Sequence, residues 1–169
     1  TPDPGPLGHC DDSYPSGTNL NNHGLDSGEA INPFLDSYVG TGETLIVEPG
    51  TYYFNSNESY NYNNLTIIAP HGATLDISGN RTWTMNGSGW KLSGFVFDIR
   101  NSQHLILLPK GTGWTLERCG WRGQDPGVDF NMVPAVTNQY SSALIDQLYM
   151  GDGQTAQTLG GGIWVSASL

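Results

Sequence analysis

Two tryptophan rows recur at a spacing that leaves few folds open: Trp90-Lys-Leu92 and Trp114-Thr-Leu116 stand 24 residues apart, in the segments WKLSGFVFDIR and WTLERCGWRGQ. Leu65 precedes Trp90 by 25 residues. Around these rows the chain offers short apolar runs broken by Gly, Pro and Asn: TLIVEPGTYYF, NLTIIAPHGATLDISG, WTMNGSGWKLSGFVFDIR, HLILLPKGTGWTLERCGWRG, SSALIDQLYMGDG and GGIWVSA. Runs of about four to six residues bounded by turn formers read as strands. A repeat of this length with no helix inside it predicts a solenoid. Each coil of about three strands and three turns buries its inward side chains only by stacking on the next. The rival all-β arrangement is a Greek-key sandwich, whose strands recur every ~8–12 residues. Against it stand the vertical match of Trp90 with Trp114 and the scarcity of two-residue hairpin signals, Asn86-Gly87 being the exception.

At 169 residues the chain suffices for one domain with a real core and hardly for two. Residues 1–31 carry Pro2, Pro4, Pro6 and Pro15 among Gly, Asn and Asp without apolar periodicity, which predicts an extended N-terminal arm or linker. Asn32-Pro33 then reads as an N-cap and first helical position. Phe34, Leu35, Tyr38 and Val39 follow at helical spacing, with Gly40 as the stop. This is one short helix whose apolar face covers something. Residues 32–169 form the repeating domain. Its last segment, GGIWVSASL, reads as a strand opening a fresh coil, so further polypeptide or another subunit is expected to cover that edge.

The run GTGETLIVEPGTYYF, preceded by a short helix, resembles the N-terminal entrance of right-handed parallel β-helix proteins of the pectate-lyase-like superfamily. There a capping helix leads to a strand, a Pro-Gly-Thr-Tyr turn and the first coil. The stretch GFVFDIRNSQHLILLPKGTGWTLERCGWRGQDPG is similar to β-helix proteins encoded by halophilic archaea and their viruses. The resemblance covers about residues 32–165 and implies an all-β fold: a right-handed parallel β-helix with a short N-terminal capping helix. Its motifs are those of an architecture, and function has to be read from a site.

Charge narrows the partners. Asp and Glu outnumber Lys and Arg by 16 to 6, a formal net charge of −10 that repels nucleic acid and anionic membrane. An acidic, lysine-poor surface suits concentrated salt or an ordinary secreted protein. No run approaches the ~18 apolar residues of a spanning helix. Cys10 and Cys119 are the only cysteines. They make either a bridge tying the arm to the domain in an oxidising compartment or two buried thiols.

Relatives that cleave acidic polysaccharides place Asp carboxylates on one exposed sheet, because glycosyl hydrolysis needs an acid and a base at fixed separation. Asp98, Asp125 and Asp129 are the candidates for such catalytic duties, with Arg100, Arg122 or His104 nearby. The Asn-x-Asp, Gly-His-Gly and Arg-x-Lys strings of pectin hydrolases are missing, and the Asp-Asp pair, Asp11-Asp12, stands in the N-terminal arm, which favours solvated turn carboxylates. Asp125, Asp129 and Asp152 with loop carbonyls are the set for a Ca²⁺ ion, the one cofactor entertained. His9, His23, His71 and His104 have no metal-binding spacing. Regular spacing assigns Trp90 and Trp114 to a core ladder, leaving Trp83, Trp121 and Arg122 as candidates for contact with surface glycans.

The expectation is therefore a non-enzymatic structural and attachment protein, extracellular or on a virion surface: a spike, tail-fibre or capsid-decoration component. Its partners are copies of itself, with a trimer as the expected state, a larger assembly reached through the N-terminal arm, and surface glycans. A secreted polysaccharide lyase or hydrolase and a filament subunit are the alternatives.

Overall fold

The computed structural model describes residues 15–99, 105–109, 111–122, 130–132, 144–146 and 149–150. Every strand pairing among them is parallel. The strands fall into three rows. In the first, β1 (Thr18–Asn19) pairs β2 (Leu45–Ile46), which pairs the start of the long β5 (Thr66–Ile77). The row continues through the start of β7 (Lys91–Asp98) and β9 (Thr115–Glu117) to β12 (Leu144–Asp146). In the second, β3 (Thr51–Phe54) lies on the end of β5, then come the end of β7, β10 (Gly120–Arg122) and β13 (Tyr149–Met150). The third is a separate four-stranded sheet of β4 (Glu58–Tyr60), β6 (Arg81–Met85), β8 (Leu105–Pro109) and β11 (Phe130–Met132).

The sequence period reappears as vertical contact. Leu45 stands opposite Ile67, Ile67 opposite Leu92, and Leu92 opposite Leu116, all buried. Strand alternation puts one face of each row inward. Tyr52, Leu75 and Phe97 thus share a register column with no exposure. The Trp90 and Trp114 rings stack with centroids 5.0 Å apart and planes 2° from parallel, as the spacing predicts. Each ring is nearly fully buried. These side chains belong to one core cluster that runs through all three rows.

β5 and β7 serve two rows each because the chain bends inside them. The register shifts between Ile68 and Ala73, where β5 carries three extra residues relative to β7. In β7 the corner is Gly94, at φ 84°, where a Cβ would overlap the Ala69 carbonyl. Only glycine fits there, since it combines a left-handed backbone with no side chain.

The single α-helix, α1 (Asn32–Tyr38), follows the predicted apolar spacing. Leu35 and Val39 are buried, and Phe34 and Tyr38 pack partly against the same core. Its start corrects the expected cap. Asn32 lies inside the helix and Ile31 occupies the N-cap without a side-chain bond. The Asn32 amide turns away from its own helix: Oδ1 accepts from the Asn55 N–H at 2.8 Å and Nδ2 donates to Glu58 Oε1 at 2.5 Å. The end is also later than predicted, because Val39–Thr41 continue as a 3₁₀ turn and Gly42 takes the left-handed capping conformation. α1 therefore lies against the edge next to β4, the last strand of its sheet, and protects an edge that would otherwise be open.

The expected arm of residues 1–31 is corrected from Thr18 onward. Thr18 and Asn19 pair with β2, Leu20, Leu25 and Ile31 have no exposure, and Ala30 forms a parallel bridge to Tyr53. Three isolated apolar residues give no period, yet each fills one place in the core. Residues 1–14 lie outside the described residues. No helix among the described residues is long and apolar enough to cross a membrane.

Candidate functional site

Among the described residues, two of the places that gather polar side chains bear on function. The first is an outward row on the second strand row. Strand alternation turns Leu75 and Phe97 inward, and their neighbours Asp76 and Asp98 become register partners on the opposite face. Tyr53 precedes them and Arg122 takes the following position in the same row. Asp98 is only 6% exposed, and both carboxyls are partnered within the fold. The structure thus places the predicted Asp98 beside Asp76, a residue that sequence reasoning passed over. The signal was present, since "LDIS" and "FDIR" repeat the same apolar-Asp-apolar alternation 22 residues apart.

The second place lies where α1 meets β4. Glu58 is buried, and its Oε1 accepts from Asn32 Nδ2 at 2.5 Å and from Ser56 Oγ at 2.7 Å. Tyr60 donates its hydroxyl to Asp36 Oδ1 at 3.2 Å. Burial pushes the Glu58 carboxyl above its ordinary 4.5; the hydrogen bonds from Ser56 and Asn32 oppose the rise, and the neighbouring Asp36 adds to it. Burial likewise raises the Tyr60 phenol, with the charges of Glu58 and Asp36 reinforcing the effect. Beside this network a groove of about 320 Å³ is lined by Asp36, Val39, Ser59, Tyr60, Asn61 and Tyr62. No motif announces it, because its parts come from a helix and a strand with a 3₁₀ turn and two further strands between them.

The remaining sequence candidates divide cleanly. Trp83 is corrected: with no exposure, it stacks on Phe54 at 4.9 Å and meets Tyr60 edge-on at 6.4 Å, so it belongs to the core and cannot touch a glycan. Along β6 Trp83 is buried, while Arg81, two residues earlier on the same face, sits at the start of the strand and donates Nε to the Ser78 carbonyl. Trp121 and Arg122 are placed by backbone register alone, opposite Phe97 and Asp98. Asp125, Asp129, Asp152, Arg100, His9, His104 and Cys10 lie outside the described residues. Cys119 is a free, buried thiol 3.9 Å from the Leu92 carbonyl, and desolvation pushes it up to about 12. His23 stacks on Tyr38 at 4.8 Å. Among the described residues no three His, Cys, Asp or Glu side chains are grouped to hold a metal ion.

Side chains on and around β4, β6 and the turn after β8 tie each level to the next. Asn57 Oδ1 accepts from the Thr82 N–H at 2.9 Å and Asn63 Oδ1 from the Ser88 N–H at 2.9 Å, each across 25 residues. Asn86 Nδ2 donates to Asn61 Oδ1 at 2.6 Å, also across 25, and Ser88 Oγ accepts from the Thr112 N–H at 3.1 Å across 24. The period that orders the core therefore orders the exposed turns as well.

No family model, curated protein or solved structure matches this chain.

Proposed function

We propose that the chain is a right-handed parallel β-helix of the pectate-lyase-like kind and acts as a non-enzymatic structural and attachment protein of a virion or cell surface. In that role it is a spike, tail-fibre or decoration component, built from several copies, that presents a rigid face to surface glycans. Three rows of parallel strands, each paired with its counterpart about one period on, support the winding, and parallel crossovers are right-handed in about 98% of cases. The observation that carries the role is the ladder of exposed turns. Asn61–Asn86 and Asn63–Ser88–Thr112 fix side chains that solvent would otherwise leave free. A surface already ordered gives up less entropy on binding than a mobile one. An acidic exterior with a net charge of −10 keeps such a particle soluble in strong salt.

A second reading, a polysaccharide lyase or hydrolase, is favoured by one observation: Asp76 and Asp98 are direct register partners. Adjacent strands stand about 4.8 Å apart, close to the ~5 Å carboxyl separation of retaining glycosidases. Light scattering on the intact chain in molar salt, combined with a reducing-end assay on soluble polysaccharide, separates the readings. A discrete trimer or other closed oligomer without glycan cleavage is the expected result. A monomer that releases reducing ends, and stops doing so when Asp98→Asn is introduced, overturns it. An open-ended polymer points instead to a filament subunit.

A further inference from the structure

The groove between α1 and the turn after β4 has a construction that the attachment role does not require. Tyr62 is 47% exposed, one of two large hydrophobic side chains so open among the described residues. It is nevertheless held from both sides. Its ring lies over Gly40, where a Cβ would sit 3.2 Å from the hydroxyl and 3.4 Å from the carbon bearing it. Its carbonyl packs against Gly87 so closely that a side chain there would collide with it. An aromatic face both exposed and fixed in place is a stacking platform with little ordering left to lose on binding.

The polar partners beside it are fixed in the same way. Asp36 is exposed, and the Tyr60 hydroxyl anchors one of its oxygens at 3.2 Å, so the carboxyl offers an oriented acceptor. Asn61 is anchored through its Oδ1 by the Asn86 amide at 2.6 Å, which leaves its own N–H groups turned to other use. Ser59 Oγ accepts from the same Asn86 amide at 3.0 Å and keeps its hydroxyl proton to donate. Sugar hydroxyls both donate and accept, so a cleft that binds them needs a carboxylate and an amide within reach of one apolar platform. The groove supplies all three, at a volume in the range of small-molecule clefts. Asp36 within it and the net charge of −10 around it disfavour uronic or sialic acids.

We propose that this groove binds a neutral saccharide, one pyranose face on Tyr62 and its hydroxyls shared between Asp36 and Asn61. The assignment rests on the attachment reading for its biological purpose, while the site itself stands on its own geometry. The test is an amide-resolved NMR titration of the intact chain with maltotriose, mannotriose and triacetylchitotriose. One of these is expected to shift the amides of Tyr62, Asn61 and Asp36. Tyr62→Ala, checked for unchanged circular dichroism, weakens that sugar about tenfold, the cost of one aromatic platform. Tyr53→Ala removes the other exposed ring, 43% open on a different face, and leaves affinity unchanged. If a sugar binds but its shifts lie elsewhere, or Tyr62→Ala binds as well as the parent, the groove is overturned and the attachment reading survives. If none of the three binds the parent chain, the groove falls and neutral glycans leave the attachment reading as well.

Discussion

At the scale of the residue, Glu58 shows how a polar side chain is kept inside a β-rich core. Its Oε1 accepts from both Asn32 and Ser56, yet burial still raises its proton affinity. Asp36 on α1 and Tyr60 on β4 are the titratable groups facing it. A carboxyl whose folded pKa exceeds its unfolded value holds more protons in the native state, so stability falls as pH climbs from about the ordinary 4.5 through the raised value. Glu58→Gln mimics the protonated form. It is expected to raise the urea midpoint at neutral pH and to lose that advantage below the ordinary carboxyl range. Denaturation curves of both proteins across pH check this, and a gap independent of pH would sink it. None of this network was legible beforehand. Asn32 has the signature of a helix cap, and nothing local distinguishes an amide that caps its own helix from one recruited by a carboxylate 26 residues on.

At the scale of the element, corners and columns divide the work. β7 passes from one row to the next at Gly94, where both the positive φ and the Ala69 carbonyl exclude a side chain. Gly28, at φ 92°, shares the backbone demand but faces open space. Gly94→Ala is therefore expected to destabilise by roughly 3 kcal/mol, and Gly28→Ala by about 1 kcal/mol, the backbone penalty alone. Equal urea-midpoint losses for the two variants would show that the close approach carries no weight. The Trp90–Trp114 stack was readable from spacing because two large rings at one period can be buried only on each other. Trp83 was misjudged for the converse reason. An Arg two residues away says nothing about how deeply a strand residue is buried, which the packing from the neighbouring row decides.

At the scale of the whole molecule, sixteen acidic residues against six basic ones leave a self-repelling surface on a narrow stack. Salt screens such repulsion, with a Debye length near 10 Å at 0.1 M and about 3 Å at 1 M. The melting temperature is thus expected to rise between dilute and molar sodium chloride, and a flat or falling profile in a thermal scan would contradict the repulsive surface. The sequence by itself determined the strand period, the stacked tryptophans, the short helix and the charge, because each is a local or strictly periodic property. Only the tertiary structure decided that Leu20, Leu25 and Ile31 belong to the core, that Trp83 faces inward, that Asp76 stands beside Asp98, and that Tyr62 overhangs Gly40. Each of these joins residues far apart in the chain, and which neighbour a side chain meets is set by the register between paired strands, a quantity that no single segment contains.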